Sequence, residues 1–390
     1  MGWMLACCFS RDCFLVSCLL GCLLDSCLLG SSDADSTLKR FEATEIHMGS
    51  SFTIVLYADD ESHATRAFSA AFARIQALDR ILSDYDEASE LSKLSAQSPT
   101  PGPVQVSDDL WHALARADYF SRQTDGAFDV TVGPLTRLWR RSRRQKELPT
   151  AERLATALAA TGYQAVRLHP ETRSVELLRP NMRLDMGGIG QGIAADAALE
   201  ELRKVGVPRA IINASGDIRA GDPPPGQTGW RVGIAPLDPK APPSRFLSIA
   251  NSAISTSGDA FQFVEIDGRR YAHIVDPKTG LGLTSRMSVT IGAPDCTTAD
   301  ALATAVCVLG LERGLAFLES QPQLGGHLVF VDDVGKVVVR TSSRFDRFDQ
   351  SLATPPSTPP STPPATPSAT NESRRSRPRH RFLLRHREGT

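Results

Sequence analysis

The spacing of apolar residues divides the chain into short strands interleaved with helices. Met48 to Tyr57 (MGSSFTIVLY) alternates with period two and is rich in β-branched residues, which predicts a strand. Ala64 to Leu82 carries Phe68, Ala71, Phe72, Ile75, Leu78 and Ile81 at helical spacing, an amphipathic helix. Further helices are predicted over Asp108–Thr124, over Thr150–Thr161 with Thr150 as N-cap, and from about Gln191 to Lys204, stopped at Gly206. A last one spans about Ala299 to Leu309, with Thr298 as N-cap and Gly310 as stop. Short strands are predicted at Ala165–Leu168, Ser174–Leu178, Ala210–Asn213, Trp230–Ala235, Phe246–Ile249, Phe263–Ile266 and Ser288–Ile291. His327–Val331 and Lys336–Arg340 read as a hairpin around Asp332-Asp333. Because strict βαβ alternation is missing, the pattern implies an α+β fold with largely antiparallel sheets flanked by helices.

The two ends do not belong to this pattern. Six of the eight cysteines lie in the first 27 residues, so the chain is no disulfide scaffold. Cys13 to Leu24 is an uncharged run with the length of a signal-peptide core, so residues 1–30 read as a leader. Leu19-Leu20-Gly21-Cys22 and Leu15-Val16-Ser17-Cys18 both resemble lipoprotein processing sites, with Cys22 the preferred one. At the other end, residues 351–371 hold a Pro/Thr/Ser repeat that favours extended polyproline II. Residues 372–390 carry seven Arg against two Glu, a basic tail that reads as a solvated end. The net charge of −1 is therefore an average. Without the last nineteen residues, 36 Lys and Arg face 42 Asp and Glu. The folded body, roughly 37–348, is acidic, and nucleic acid is not an expected partner.

Five stretches of that body hold candidate chemistry. Asp185 to Gly192 (DMGGIGQG) packs four glycines between an extended segment and a helix. Such a loop lets backbone approach a ligand and aims helix N–H groups at an anion, although a tight turn would use the glycines equally. NASGDI (213–218) and STSGD (255–259) each place hydroxyls and a carboxylate at the end of an apolar strand. AHIVDPKTG (272–280) gathers His273, Asp276, Lys278 and Thr279 on one turned segment, with His273 able to exchange protons near neutrality. Asp300 and Thr304 in DALAT stand at i and i+4 in what reads as the first turn of a helix. Two hard oxygens so placed suit Mg²⁺, and an Asp favoured by the helix dipole would look the same.

Taken in order, Met48-Gly49-Ser50, Ser83-Asp84-Tyr85-Asp86, GAFDVTVGPL (126–135), DMGGIGQG, NASGDI, STSGD, HIVDPKTG and DALATA resemble the ApbE-type family of FAD:protein FMN transferases over roughly residues 44–345. That resemblance implies a T-fold-like α+β architecture and an exported, lipid-anchored bacterial enzyme at the inner membrane facing the periplasm. It also implies Mg²⁺-dependent transfer of the FMN moiety of FAD to a Thr or Ser hydroxyl of a flavoprotein subunit of a membrane redox complex, with release of AMP. By position, it assigns the metal to Asp300, Thr304 and the main-chain carbonyl of Gly190. Met48, Ser50 and Tyr85 would line the flavin or adenine pocket. Asp129 and Asp217 would orient polar edges, and Asp276 and Thr279 would contact the cofactor. His273 would lie beside the diphosphate and assist transfer. Two positions depart from the family pattern: Gln191 stands where Lys or Glu is usual, and Ala214-Ser215 where Gly-Gly is commoner. A metal-dependent FAD pyrophosphatase and a non-catalytic FAD-binding lipoprotein are the alternative readings.

Overall fold

The computed structural model describes residues 37–352 apart from 239, 244 and 261. The leader at 1–30, most of the linker at 351–371 and the basic tail at 372–390 lie outside the described residues.

Eight strands form the central sheet: β1 (Lys39–His47), β2 (Ser50–Ala58), β6 (Ala210–Ala214), β7 (Asp217–Ala220), β10 (Ala253–Gly258), β13 (Met287–Ala293), β14 (Gly325–Val331) and β15 (Val337–Thr341), in that spatial order. Every neighbouring pair is antiparallel, as the missing βαβ alternation implied. The two faces of β2 show how the sheet sits. Phe52, Ile54, Leu56 and Ala58 point into the main core against α1 (Glu61–Leu82), α6 (Gly190–Lys204) and α7 (Cys296–Ser320). Val55 and Tyr57 point the other way, into a second core with Trp230, Leu247, Ile249, Phe345 and Phe348. That second core is roofed by the hairpin of β8 (Trp230–Gly233) and β9 (Phe246–Ile249). Strand β13 is buried at every position because both layers cover it.

A third, smaller core joins Leu135 and Trp139 of α4 (Gly133–Gln145) to Ala157 of α5 (Ala151–Ala159). It also takes in the hairpin of β11 (Phe263–Ile266) and β12 (Arg269–Ala272). Three short strands, β3 (Val104–Gln105), β4 (Val166–His169) and β5 (Ser174–Leu177), complete the fold with α2 (Glu90–Ala96) and α3 (Asp108–Gln123).

Several predicted boundaries shift for identifiable reasons. Met48 and Gly49 do not extend β2; both take positive φ (51° and 67°) and close the β1–β2 hairpin, pairing His47 with Ser50. Helix α7 begins at Cys296 with Asp295, not Thr298, as N-cap, because Asp295 Oδ1 accepts from the Thr298 N–H at 2.8 Å. Asp300 and Thr304 therefore stand in its second and third turns. Gly310 does interrupt the helix (φ 75°, ψ 179°), but helical backbone resumes and continues to Ser320. Helix α7 is long and apolar enough to span a membrane, yet its first half is packed into the main core and Gly310 breaks it.

Candidate active site

The site is built where the N-terminal turns of α6 and α7 meet. Helix α6 emerges from the DMGGIGQG loop without a side-chain cap of its own. Asp300 of α7 caps it from outside, accepting from the Gly192 N–H at 3.0 Å. Asp196 of α6 returns the arrangement. Its carboxylate accepts from Cys296 N (2.9 Å), Thr297 N (2.8 Å) and Thr297 Oγ1 (2.7 Å) at the start of α7. Glycine is required for this approach: a Cβ on Gly192 would lie 2.5 Å from the Cys296 carbonyl oxygen. A Cβ on Gly188 would stand 3.1 Å from Thr304 Oγ1, so the loop lies directly over that hydroxyl. Gly190 is buried in the first turn of α6 and donates its N–H to Met186 O at 2.7 Å.

Beneath the loop, β7 and β10 supply the remaining polar groups. Asp217 opens β7 and accepts a short hydrogen bond from Ser255 Oγ on β10. Two residues on, Ser257 Oγ lies 3.3 Å from Thr304 Oγ1. Alternation along β10 thus puts Ser255 and Ser257 on one face, linking Asp217 to Thr304. The carboxylates repel one another in low dielectric. Burial, then the Asp217 charge, pushes the Asp300 carboxyl well above its ordinary range. Burial lifts Asp217 to about 6, against the hydrogen bond from Ser255. The nearby Arg219 offers Nε to Asp196 at 2.9 Å, without the alignment of a hydrogen bond.

This donor set fits a small hard cation. It holds buried carboxylates in mutual repulsion, two converging hydroxyls and a close-packed backbone loop, all oxygen donors. Among the described residues no three His, Cys, Asp or Glu side chains group into a metal cluster, so hydroxyl, main-chain or substrate oxygens would have to complete the coordination.

Two candidate groups reach the rim of this centre. Gln191 Nε2 donates to Ser50 Oγ at 2.6 Å, tying the Met48–Ser50 turn to the first turn of α6. Met48 is held by its N–H to Asp79 Oδ2 (2.9 Å). The Ala214-Ser215 departure is also accommodated: Ser215 takes φ 54°, and its hydroxyl meets both the N–H and the carbonyl of Ser51 at 3.2 Å. Tyr85 is 75% exposed and presents its ring on the loop after α1. The Arg140 guanidinium lies over it at 4.0 Å, bonds Asp84 at 2.8 Å and reaches Asp185 at 3.4 Å. Burial and the Asp185 charge push the Asp84 carboxyl up, while Arg140 pulls it down.

Other candidates are engaged differently. Asp129 is buried, and both its oxygens serve the fold: Oδ1 accepts from Thr131 N and Oγ1, Oδ2 from Tyr163 N. Asp276 closes an Asx turn, accepting from Lys278 N (2.8 Å) and Thr279 Oγ1 (3.1 Å). That turn is pinned by Trp139 Nε1 to Gly280 O (2.8 Å) and by Lys278 Nζ to Asp125 (2.6 Å). His273 is exposed, and partial desolvation by the surrounding protein, with the Arg143 charge, lowers its pKa. Its N–H donates to Gln262 O at 3.0 Å, and Nδ1 faces the same oxygen at 3.2 Å. Asp259 of the second SGD motif is buried and paired with Arg270 Nε at 2.6 Å, a structural use. The loop carrying His273 makes its hydrogen bonds away from Asp300 and Thr304.

A sequence model of the ApbE family matches residues 48–328. The chain belongs to the ApbE family. Among its curated relatives, one from Treponema pallidum, named FAD:protein FMN transferase, is 31% identical over 84% of this chain and 92% of its own length. One from Haemophilus influenzae with the same name is 30% identical, covering 69% of this chain and 80% of that protein. Among solved structures, the flavin transferase ApbE from Vibrio cholerae superposes with a TM-score of 0.71 at 28% identity, covering 80% of this chain and 99% of that one. An ApbE protein from Thermotoga maritima matches equally, at 0.71 and 29%. The span matched to the ApbE family begins at the Met48 turn and includes every candidate residue through Thr304.

Residues that the motifs did not single out also shape the centre. Asp196 holds the α6–α7 junction, and Arg140 holds Tyr85. Only a fold that brings residues a hundred positions apart into contact makes Asp196 visible.

Proposed function

We propose that this chain is a Mg²⁺-dependent FAD:protein FMN transferase, which transfers the FMN moiety of FAD to a Thr or Ser hydroxyl of a flavoprotein subunit and releases AMP. The observation that carries the reading is the buried Asp217–Asp300 pair converging with Thr304 and Ser257 beneath a glycine loop. Mg²⁺ would be held by Asp300, Thr304 and the main-chain carbonyl of Gly190, and when bound it supplies charge neutralisation at the diphosphate. The remaining work falls to the protein. Tyr85 offers an aromatic face to a planar ring of FAD, and Met48 and Ser50 line the same rim. The glycine loop admits the diphosphate close to backbone. His273, whose lowered pKa keeps it neutral at pH 7, accepts the hydroxyl proton of the acceptor. The acceptor oxygen then bonds the FMN-side phosphorus as the phosphoanhydride bond to AMP breaks, and AMP leaves with the bonding electrons.

The same reading takes the protein as exported and anchored through Cys22 or Cys18, with an acceptor in a membrane redox complex. Loss of lipid labelling in Cys22→Ser would support the preferred anchor. For the reaction, the purified protein is incubated with FAD, Mg²⁺ and a candidate acceptor subunit. Flavin covalently attached to the acceptor, one AMP released per flavin and loss of both in Asp300→Ala are expected. AMP accumulating while all flavin stays free would refute transfer, and full activity in Asp300→Ala would refute the metal assignment.

A further inference from the structure

Arg140 sits at a junction that the reaction chemistry does not by itself explain. It projects from α4, a helix with five arginines and no acidic residue. Its three neighbours come from two separate stretches of chain. Nη1 donates to Asp84 at 2.8 Å, Nη2 reaches Asp185 at 3.4 Å, and the guanidinium plane covers the Tyr85 ring at 4.0 Å. Asp185 is in turn fixed by Thr136 Oγ1, one turn earlier on α4, at 2.7 Å, and by the Gly187 N–H at 2.8 Å. One side chain therefore ties the loop after α1 to the first glycines of DMGGIGQG. Tyr85 has one face covered, while most of its surface remains open. An exposed tyrosine on a loop would otherwise sample several rotamers, and a ligand would have to order it on binding.

We propose that Arg140 is a positioning residue for FAD: it braces the Tyr85 ring from behind, so that the open face is presented to a planar ring of the dinucleotide. The brace rests on the reading of the site as one that binds FAD. Arginine suits the place because a planar guanidinium can stack on an aromatic ring while its edge bonds two carboxylates. Lysine would keep the charge and one ion pair but lose the stacked plane. The prediction is a loss of affinity transmitted through Tyr85, with little effect on the chemical step.

The test is a thermodynamic cycle on the full chain, titrating FAD by quenching of its fluorescence in Mg²⁺ buffer, with thermal midpoints taken for every variant. Arg140→Lys is expected to raise the Kd about tenfold and to leave kcat at saturating FAD within about twofold. Tyr85→Ala should weaken binding at least as much. In the Tyr85→Ala background, Arg140→Lys should add less than about twofold, whereas in Tyr85→Phe, which keeps the ring, it should retain its full effect. Equal losses from Arg140→Lys in the presence and absence of the ring would overturn the proposal, since a purely structural arginine acts regardless of Tyr85. Unchanged FAD affinity in Tyr85→Ala would remove the platform, and the brace with it, while leaving the transferase reading intact. Failure of the unmutated protein to bind FAD at all would instead defeat both.

Discussion

Asp196→Ala should unlock the junction on which the site stands. The wild-type carboxylate satisfies two backbone N–H groups and a hydroxyl at the start of α7 and faces Arg219 Nε at 2.9 Å. Arg219 is only 9% exposed, so deleting its partner strands a nearly buried cation as well as three buried donors. Breaking one half of such a pair costs about 3–5 kcal/mol, mostly as the desolvation of what is left behind. For a body of this size, that corresponds to a drop of roughly 5–8 °C in Tm. Asp196→Asn keeps one acceptor oxygen but points an amide donor at another donor, so it should lose about half as much. Arg219→Met combined with Asp196→Ala should cost less than the sum of the two, because the stranded charge disappears. Thermal and urea unfolding measure the stability, and Mg²⁺-dependent AMP release measures the site. A loss below about 1 kcal/mol in Asp196→Ala, or a strictly additive double variant, would refute the claim that reciprocal capping locks α6 to α7.

Three further outcomes follow from the same geometry. Gly192→Ala places a methyl 2.5 Å from the Cys296 carbonyl oxygen and should force the helices apart, lowering Tm and abolishing AMP release; a variant with normal activity would show that the contact is dispensable. Asp217 has its folded pKa raised from 3.8 to about 6, so in EDTA its anion destabilises the fold above pH 6 and the penalty disappears as pH falls below about 4. Asp217→Asn should therefore gain up to about 3 kcal/mol relative to wild type between pH 4 and pH 8, read from urea midpoints, and a flat difference across that range would contradict the shift. His273→Gln should lower kcat by about 10²-fold with little change in KM for FAD; an unaltered kcat would exclude His273 as proton acceptor.

The long amphipathic helices and the alternating strands were legible because their patterns arise from burial on one face. Helix α4 was not: its buried positions reduce to Gly133, Leu135, Trp139 and Ser142 among five arginines, so composition hides the stripe. Strand β1 was missed because it is an exposed edge with His47 as its only buried residue. Strand β10 was masked by its polar residues: Ser255 and Ser257 face the site, and Thr256 bonds Thr290 across the sheet. Candidate residues show the same division. Asp300 and Thr304 could be paired from spacing alone, since four residues on a helix share a face. Asp129 could not be judged so: its acidic side chain in a motif reads as a ligand contact, and only the structure reveals that Thr131 and Tyr163 already occupy it. The same holds for Asp259, one of two SGD carboxylates, which is paired with Arg270, while among the described residues no cation pairs with Asp217.

That contrast divides the buried carboxylates of this fold by how fully the protein satisfies them. Asp129 and Asp259 are as deeply buried as the candidates and Asp196 is half-buried, but each is matched by several donors or by an arginine, which offsets the cost of removing it from water. Among the described residues Asp217 and Asp300 receive one hydrogen bond each, and the Asp217 charge adds to burial in pushing the Asp300 carboxyl up. Left to itself, such a pair is a liability that an apolar substitution would relieve. Its presence at the junction of two helix N-termini, under glycines that a methyl group would obstruct, makes sense if positive charge arrives with the substrate. The repulsion then becomes the driving force for binding a cation, and stability surrendered in the empty protein is recovered when the site is filled.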